Sequence, residues 1–208
     1  VDALKWYEKV DTEYPDAKDS IAWFEQKKIS LDEVKVIRSG EKVELKLKHR
    51  NISKADLQIY RVDLMKLYLR EKNLSHISKV NLAGIAPKHE LSVDLKNKQF
   101  SDQETTIELP MKKDGAYLVI CRGDYLYASG LVLVTPVKME VQEIDRDATV
   151  RVNLSDRATG KLLDGVHVKA IGSNDEKFAS GETEMRGVWT TAGVKGVVTV
   201  IARDQEGR

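Results

Sequence analysis

Alternating apolar and polar residues on both sides of a glycine-containing turn, in the last third of the chain, constrain its fold more than any other feature. Apolar side chains occupy every second position over residues 150–154 and again over residues 166–170. A period of two places these side chains on one face, as in a half-buried β-strand. Between them, residues 159–165 contain two glycines and an aspartate, which favour turn geometry. The pattern predicts neighbouring strands of a β-sandwich.

Similar segments extend over most of the chain. A polar run with glycines at both ends, residues 181–187, is predicted to be a turn between strands at 177–180 and 188–191. Other strand-like segments occupy residues 34–36, 43–47, 57–62, 105–109, 116–121, 125–135, 140–144 and 197–203. About six or seven short strands per module, separated by turns, are typical of an antiparallel sandwich. We therefore predict a mainly β protein with two tandem antiparallel Ig-like β-sandwiches.

The first thirty or so residues have a helical period instead. Leu4, Tyr7 and Val10 recur at helical spacing. Pro15 marks a break and suits the first turn of a second helix. The residues that resume the period are Ile21, Phe24 and Lys28, with Trp23. The sequence predicts a short helical segment before the sandwiches.

The length of the chain and the positions of these breaks predict three segments. At 208 residues the chain exceeds the usual size of one domain. We predict a helical lead at residues 1–31, a first sandwich at residues 32–136 and a second at residues 137–208. Within the first sandwich, residues 63–69 permit a short helix, and residues 71–98 are expected to form a long loop.

The second sandwich is expected to be truncated at its C-terminal end. The strand predicted at residues 197–203 runs into residues 204–207, which have the composition of a hairpin turn and precede no further strand. Such a strand has an unpaired edge that invites pairing with another chain.

Charge and composition exclude several classes of function. The chain has 34 Lys and Arg residues against 33 Asp and Glu, a formal net charge of +1, with the two signs interleaved. Proteins that bind nucleic acid concentrate positive charge on one face, so we expect no DNA or RNA partner. No apolar run approaches the length that crosses a bilayer. We therefore expect no membrane-spanning segment.

Cys121 is the single cysteine, so no internal disulfide forms. It lies in an apolar run, where a buried small hydrophobic residue is a better interpretation than a reactive thiol. A chain without disulfides suits the cytosol and the bacterial periplasm alike.

Two features suggest a binding surface. Residues 122–124 read Arg-Gly-Asp, a tripeptide that integrins recognise on exposed loops, although Gly-Asp is also ordinary hairpin chemistry. Tyr117, Tyr125 and Tyr127 alternate on adjacent predicted strands. They form either a platform for stacking sugars or cross-strand aromatic pairs that stabilise the sheet.

The remaining polar residues show no catalytic or metal-binding pattern. The histidines have no metal-ligand spacing, and they are His49, His76, His89 and His167. Asp145 and Asp147 flank an arginine, which suits a capped loop better than a cation site. Three asparagines begin Asn-X-Ser sequences, interpreted as coincidence rather than glycan acceptors, and they are Asn51, Asn73 and Asn153. With no Ser, His and Asp set in reach, we predict no catalytic residue, no cofactor and no metal.

At its turn and core positions the chain resembles a known family. The positions that carry the resemblance in residues 132–208 are Asp156, Thr159, Gly160, Lys161, Leu163, Gly165, Val168, Gly181, Thr183 and Gly187. They are similar to macroglobulin-type β-sandwich domains of bacterial alpha-2-macroglobulin-like proteins. Residues 60–63 and 115–122 resemble an upstream domain of the same type. Residues 3–24 resemble the tail of a tetratricopeptide-like helical repeat.

The resemblance implies a large secreted or periplasmic protein built as a string of sandwiches. Some members trap proteases through a thioester between a Cys and a Gln, but Cys121 has no Gln nearby. The family therefore implies a non-enzymatic structural segment, with a part in a protease-inhibitor scaffold. Its partners are neighbouring domains of the same protein and, as a further class, proteases. Membrane attachment would lie outside this segment.

A function from a different class remains open. The alternative is a surface adhesion or glycan-binding module that uses Tyr125, Tyr127 and the turn at residues 122–124. An enzyme is the third interpretation.

Overall fold

The computed structural model describes residues 2–10, 14–66, 84–96, 98–144, 148–175 and 177–205. Two helices come first, α1 (Asp2–Val10) and α2 (Pro15–Glu25). The strands are β1 (Lys28–Leu31), β2 (Val34–Ile37), β3 (Val43–Arg50), β4 (Lys54–Val62), β5 (His89–Asp94), β6 (Gln103–Leu109), β7 (Gly115–Gly123), β8 (Leu126–Val134), β9 (Val137–Ile144), β10 (Thr149–Asp156), β11 (His167–Gly172), β12 (Ala179–Glu182), β13 (Val188–Thr191) and β14 (Val198–Arg203). The chain is mainly β after a short helical segment, which confirms the predicted fold class.

The first sandwich packs a three-stranded sheet, β1-β3-β6, against a five-stranded sheet, β2-β8-β7-β4-β5. Buried and exposed side chains alternate along β3 and β4. The apolar side chains of the two sheets therefore meet in one core. Its fully buried members include Val43, Leu45, Leu47, Leu57, Ile59, Tyr117, Val119 and Val132.

The central strand β7 is buried on both faces. On the outer face of the five-stranded sheet, Leu118 and Leu131 form a second cluster with Tyr60, and Leu64 packs against it. Leu64 lies in a helical turn at residues 64–66, within the segment for which the sequence permitted a short helix. Coverage of both faces explains why β7 is a continuous apolar run rather than an alternating one.

One strand pair of the first sandwich departs from the antiparallel pattern. β2 pairs in parallel with β8, with Val34 opposite Leu131. At the start of this pair the Asp32 carbonyl oxygen lies against Gly130, where a Cβ atom would clash with it. The other strand pairs among the described residues are antiparallel.

The second sandwich packs β13-β10-β9 against β12-β11-β14. Val152 and Leu154 of β10 and Val168 of β11 are completely buried in its core. Trp189 of β13 belongs to the same core, and its indole lies so close to Gly181 of β12 that a Cβ atom there would clash. The two sheets thus meet through a tryptophan on one side and a glycine on the other.

Side-chain hydrogen bonds hold the connection between β10 and β11. Asp156 Oδ1 accepts hydrogen bonds from the Thr159 backbone N–H at 2.7 Å and from the Thr159 hydroxyl at 2.8 Å. These bonds lower the pKa of the Asp156 carboxyl. The buried Thr183 hydroxyl accepts from the Val166 N–H at 3.0 Å and donates to the Leu163 carbonyl at 2.7 Å. The predicted turn is therefore tied to both sheets of the sandwich.

The edge strand β9 is exposed along almost its whole length. Only its first residue, Val137, packs against the core. Met139 and Val141 lie opposite Leu154 and Val152 in the ladder and so share their face, yet they are 39% and 42% exposed. The described residues therefore leave the second core uncovered along this edge.

The structure corrects three local expectations. Residues 28–31, predicted to end the helical lead, form β1 because Ile29 and Leu31 alternate toward the first core. Residues 89–94, predicted within a long loop, form β5 and pair with β4. Residues 181–182, predicted to be in a turn, belong to β12. The predicted limits of the domains remain predictions.

A buried arginine on β3 joins the helical lead to the first sandwich. Arg50 is 2% exposed, and its guanidinium donates hydrogen bonds to the Asp102 carboxylate at 2.8 and 2.7 Å. It also donates to the Trp23 carbonyl at 3.1 Å and lies 4.2 Å from the centre of the Trp23 ring. The neighbouring Asn51 amide donates to the Phe24 carbonyl at 2.7 Å. The end of α2 is therefore fixed on the sandwich.

A glycine pair tests how tightly the second sandwich is packed. Gly187 has a φ of +66°, and a Cβ atom there would clash with the Leu154 carbonyl oxygen. Gly160 has a φ of +73° with open space around it. We expect Gly187→Ala to lower the free energy of unfolding by about 3 kcal/mol, through the clash and the left-handed backbone together. Gly160→Ala is the matched control, with an expected loss of about 1 kcal/mol from the backbone alone. Equal losses in urea denaturation would contradict this account.

The pairing of Arg50 with Asp102 predicts a pH effect. Its hydrogen bonds hold the pKa of the Asp102 carboxyl below its ordinary value of 3.8. A carboxyl with a depressed folded pKa stabilises the fold above its ordinary pKa, and this contribution disappears as the pH falls through the folded value. We therefore expect Asp102→Asn to be less stable than the parent at pH 7 and to lose less stability between about pH 5 and pH 2.

The matched control for this measurement is Asp94→Asn, at an exposed position on β5. Chemical denaturation at a series of pH values gives both curves. If the stability of the parent and that of Asp102→Asn fell equally between about pH 5 and pH 2, Arg50 would not depend on this carboxylate.

Candidate functional site

An open groove lies where the end of α2 meets the tip of the β7–β8 hairpin. Its volume is about 520 Å³. Its lining consists of Asp19, Ala22, Trp23, Glu25, Gln26, Lys27 and Tyr125. The aromatic side chains come from two distant parts of the sequence, one from the helix and one from the hairpin. The groove exists only because the helical lead is fixed on the sandwich.

Both aromatic rings of the groove already face a cation of the protein. Trp23 is 51% exposed and has the Arg50 guanidinium 4.2 Å from its ring centre. Tyr125 is 70% exposed and has the Lys27 ammonium 5.8 Å from its ring centre. These cation–π contacts hold each ring in place while much of its surface stays in contact with solvent.

The charges of the groove are partly neutralised from within. Lys27 Nζ lies 2.7 Å from Asp124 Oδ2, and this bond raises the pKa of the lysine. Asp19 and Glu25 also line the groove and, among the described residues, have no ion-pair partner. The groove therefore offers free hydrogen-bond acceptors beside two aromatic surfaces.

The Arg-Gly-Asp turn is engaged in contacts within the protein. Arg122 lies 5.7 Å from the centre of the Tyr127 ring and donates to the Asp124 carbonyl at 3.2 Å. The Asp124 carboxylate is paired with Lys27, and a side chain at Gly123 would meet Ile52 at 2.9 Å. An adhesion receptor would have to break these contacts to reach both charges.

The three tyrosines, interpreted from the sequence either as a sugar platform or as cross-strand pairs, occupy three different environments. Tyr117 is 1% exposed in the first core, where its hydroxyl donates to the Lys113 carbonyl at 2.7 Å, so its place in a sugar platform was wrong. Tyr127 is 65% exposed on the outer face of the five-stranded sheet, opposite Arg122 in the ladder. Of the three, Tyr125 alone lines the groove.

Three other candidate residues are explained by burial or by hydrogen bonds within the fold. Burial raises the pKa of the Cys121 thiol to about 12, so a thiolate is disfavoured there. Burial likewise lowers the pKa of His49, whose Nε2 lies 3.0 Å from the Thr105 hydroxyl. Asn51 uses its side chain to bind the α2 end. Four candidates lie outside the described residues, namely Asn73, His76, Asp145 and Asp147.

Within the described ranges, no group of His, Cys, Asp and Glu side chains is arranged to hold a metal ion. No helix in this part of the chain is both long and apolar enough to span a membrane.

Sequence reasoning missed Trp23 and Lys27 as members of a site. Trp23 was interpreted as part of a helical period, although it adjoins Phe24 and so lies off the apolar stripe that Phe24 continues. This position off the stripe was the signal in the sequence that Trp23 does not belong to the buried face of the helix. Lys27 carried none, because its partner Asp124 lies 97 residues away.

A second surface of interest is the joint between the sandwiches. Only residues 135–136 separate β8 from β9. The Thr135 N–H donates to the Ile37 carbonyl of the first sandwich at 3.0 Å, and the Arg157 N–H of the second donates to the Pro136 carbonyl at 2.6 Å. The connector is therefore bonded on both sides.

Side chains beyond the connector reinforce the joint. Ile171 and Ile201 lie on the outer face of their sheet and are 2% and 7% exposed. Met65, from the helical turn of the first sandwich, packs against them. Arg203 Nη1 and Asp63 Oδ2, 3.9 Å apart, add a half-exposed ion pair, which contributes little. The apolar contact is the main tie.

Comparisons with known proteins identify the fold. No protein-family model and no curated protein matches the chain. A crystal structure of native alpha-2-macroglobulin from Escherichia coli spanning domains MG0-NIE-MG1 matches with a TM-score of 0.70 and 15% identity, covering 88% of this chain and 62% of that chain. A structure of domains NIE-MG1 of the same protein matches with a TM-score of 0.69 and 14% identity, covering 88% and 95%. The chain thus spans less than two thirds of the longer structure, and its fold is that of these macroglobulin domains.

Proposed function

We propose that the chain is a non-catalytic structural segment of a large alpha-2-macroglobulin-like protein, in which it holds neighbouring domains at a fixed spacing. The joint between the sandwiches carries this proposal. A two-residue connector bonded on both sides, with Met65 packed on Ile171 and Ile201, resists bending. Domains joined by flexible linkers and small polar contacts move relative to each other by default. This joint differs in its short, bonded connector and in the apolar contact of Met65 with Ile171 and Ile201.

The partners in this proposal are the neighbouring domains of the same protein. Exposed aromatic side chains on the helical lead, such as Trp6 at 68% and Tyr14 at 61%, provide apolar surface for such a contact. A part in trapping proteases, and a location in the periplasm or outside the cell, follow from the family resemblance. They are properties that we propose for the whole protein rather than for this segment.

Glycan binding is the second candidate function. The groove between α2 and the β7–β8 hairpin favours it, because the groove combines exposed aromatic rings with free acceptors. Adhesion through the Arg-Gly-Asp turn has less support, since Arg122 and Asp124 are already engaged.

The scaffold proposal is tested by measuring the distance between the two sandwiches. Spin labels are attached at Glu44→Cys on β3 and Met185→Cys in the exposed β12–β13 turn. The native Cys121 is buried and does not compete for the label. We expect a narrow distance distribution by double electron–electron resonance. Met65→Asp places a charge in the apolar contact and should broaden the distribution about twofold.

Lys66→Asp is the matched control, because this exposed neighbour on the same helical turn changes charge without touching the contact. It should leave the distribution as narrow as in the parent. A broad distribution in the parent protein would overturn the proposal of fixed spacing.

A further inference from the structure

We propose that the groove between α2 and the β7–β8 hairpin binds a neutral oligosaccharide, with sugar rings stacked on Trp23 and Tyr125. The proposal rests on the second candidate function, glycan binding, and is independent of the scaffold role. It begins from the two aromatic side chains, which are 51% and 70% exposed and line one groove. A pyranose ring has an apolar face of C–H groups, which packs on an aromatic ring, and a rim of hydroxyl groups.

The rings are held in position before any ligand arrives. Arg50 contacts the Trp23 ring and its carbonyl, and Arg50 is itself buried and doubly bonded to Asp102. Tyr125 follows Asp124, which has a φ of 52° and is paired with Lys27. Little conformational entropy is therefore lost when a ligand binds to these surfaces.

The aromatic rings of the site favour a neutral ligand, because each ring already faces a cation of the protein. An aromatic ring attracts a cation through its face, but Arg50 already occupies this role at Trp23 and Lys27 at Tyr125. A ligand ammonium group would have to compete with Arg50 or Lys27 for a ring face, although the Asp19 and Glu25 carboxylates would attract it. A neutral ring with polarised C–H groups can pack on an aromatic ring without this competition, so a cationic peptide is the alternative that the experiment must separate.

The polar groups of the groove suit hydroxyl groups. Asp19 and Glu25 present carboxylate oxygens, and Gln26 presents an amide that both donates and accepts. Among the described residues of the lining, Ala22 is the only aliphatic side chain, so these residues form no pocket for the aliphatic anchor of a peptide. Its open shape suits a chain of sugars that crosses the surface.

The experiment uses the full chain and isothermal titration calorimetry. The probes are three neutral hexasaccharides, namely maltohexaose, cellohexaose and N-acetylchitohexaose, with heptalysine as a cationic peptide. We expect saturable binding of at least one hexasaccharide with a dissociation constant below about 1 mM. Tyr125→Ala should weaken that binding by about tenfold or more.

Tyr127→Ala is the matched control, since Tyr127 is similarly exposed but lies on the outer face of the sheet. It should leave affinity unchanged within about twofold. Because Trp23 also contacts Arg50, Trp23→Phe keeps a ring there and should weaken binding without unfolding the lead. Thermal denaturation checks that each variant is folded.

Three results would overturn the proposal. They are failure of all three hexasaccharides to bind, equal losses in Tyr125→Ala and Tyr127→Ala, and tighter binding of heptalysine in a manner that depends on Tyr125. The last result would assign the groove to a cationic peptide instead.

Discussion

The burial of one guanidinium group determines how the helical lead meets the first sandwich. Arg50 is 2% exposed, and a charge removed from water must be compensated by partners at close range. The contacts join three parts of the chain, because Asp102 precedes β6, Trp23 lies in the last turn of α2 and Arg50 itself ends β3. None of the three can move without leaving the cation unsatisfied. The orientation of α2, and with it one wall of the groove, follows from this requirement.

The two proposed roles use different ends of the first sandwich. The groove depends on the hairpin tip and the helical lead, whereas the joint depends on the β8–β9 connector and the helical turn that carries Met65. No described residue belongs to both sets of contacts. The chain can therefore hold a neighbouring domain and keep a binding surface open at the same time.

The sequence predicted the sandwiches because a period of two survives wherever one face of a strand is buried, as in β3, β4 and β10. The prediction failed where the alternating segment was short, or where the side chain that explains the local structure comes from another part of the chain. β5 alternates over only six residues beside a polar stretch, and β1 over only four. Gly181 suggested a turn, but it is a glycine because the Trp189 indole occupies the space that a side chain would need.

The parallel pairing of β2 with β8 and the groove had no local signal at all. Strand direction is set by which edge the chain reaches, and the same alternating segment serves in either direction. Trp23 and Tyr125 are separated by about a hundred residues of sequence, so their approach is a product of the fold. Charge pairs such as Lys27 with Asp124 are equally invisible in composition, where the two signs nearly cancel.

The exposed inner face of β9 makes the two sandwiches unequal in their resistance to opening. Met139 and Val141 contribute little to the second core, while the first has strands such as β7 covered on both faces. Local opening follows the amount of buried apolar contact, so amide protons of β9 and β10 should exchange with solvent earlier than those of β7. The second sandwich would then loosen first and release the contact with Met65, while the helical lead and the groove stay assembled on the first.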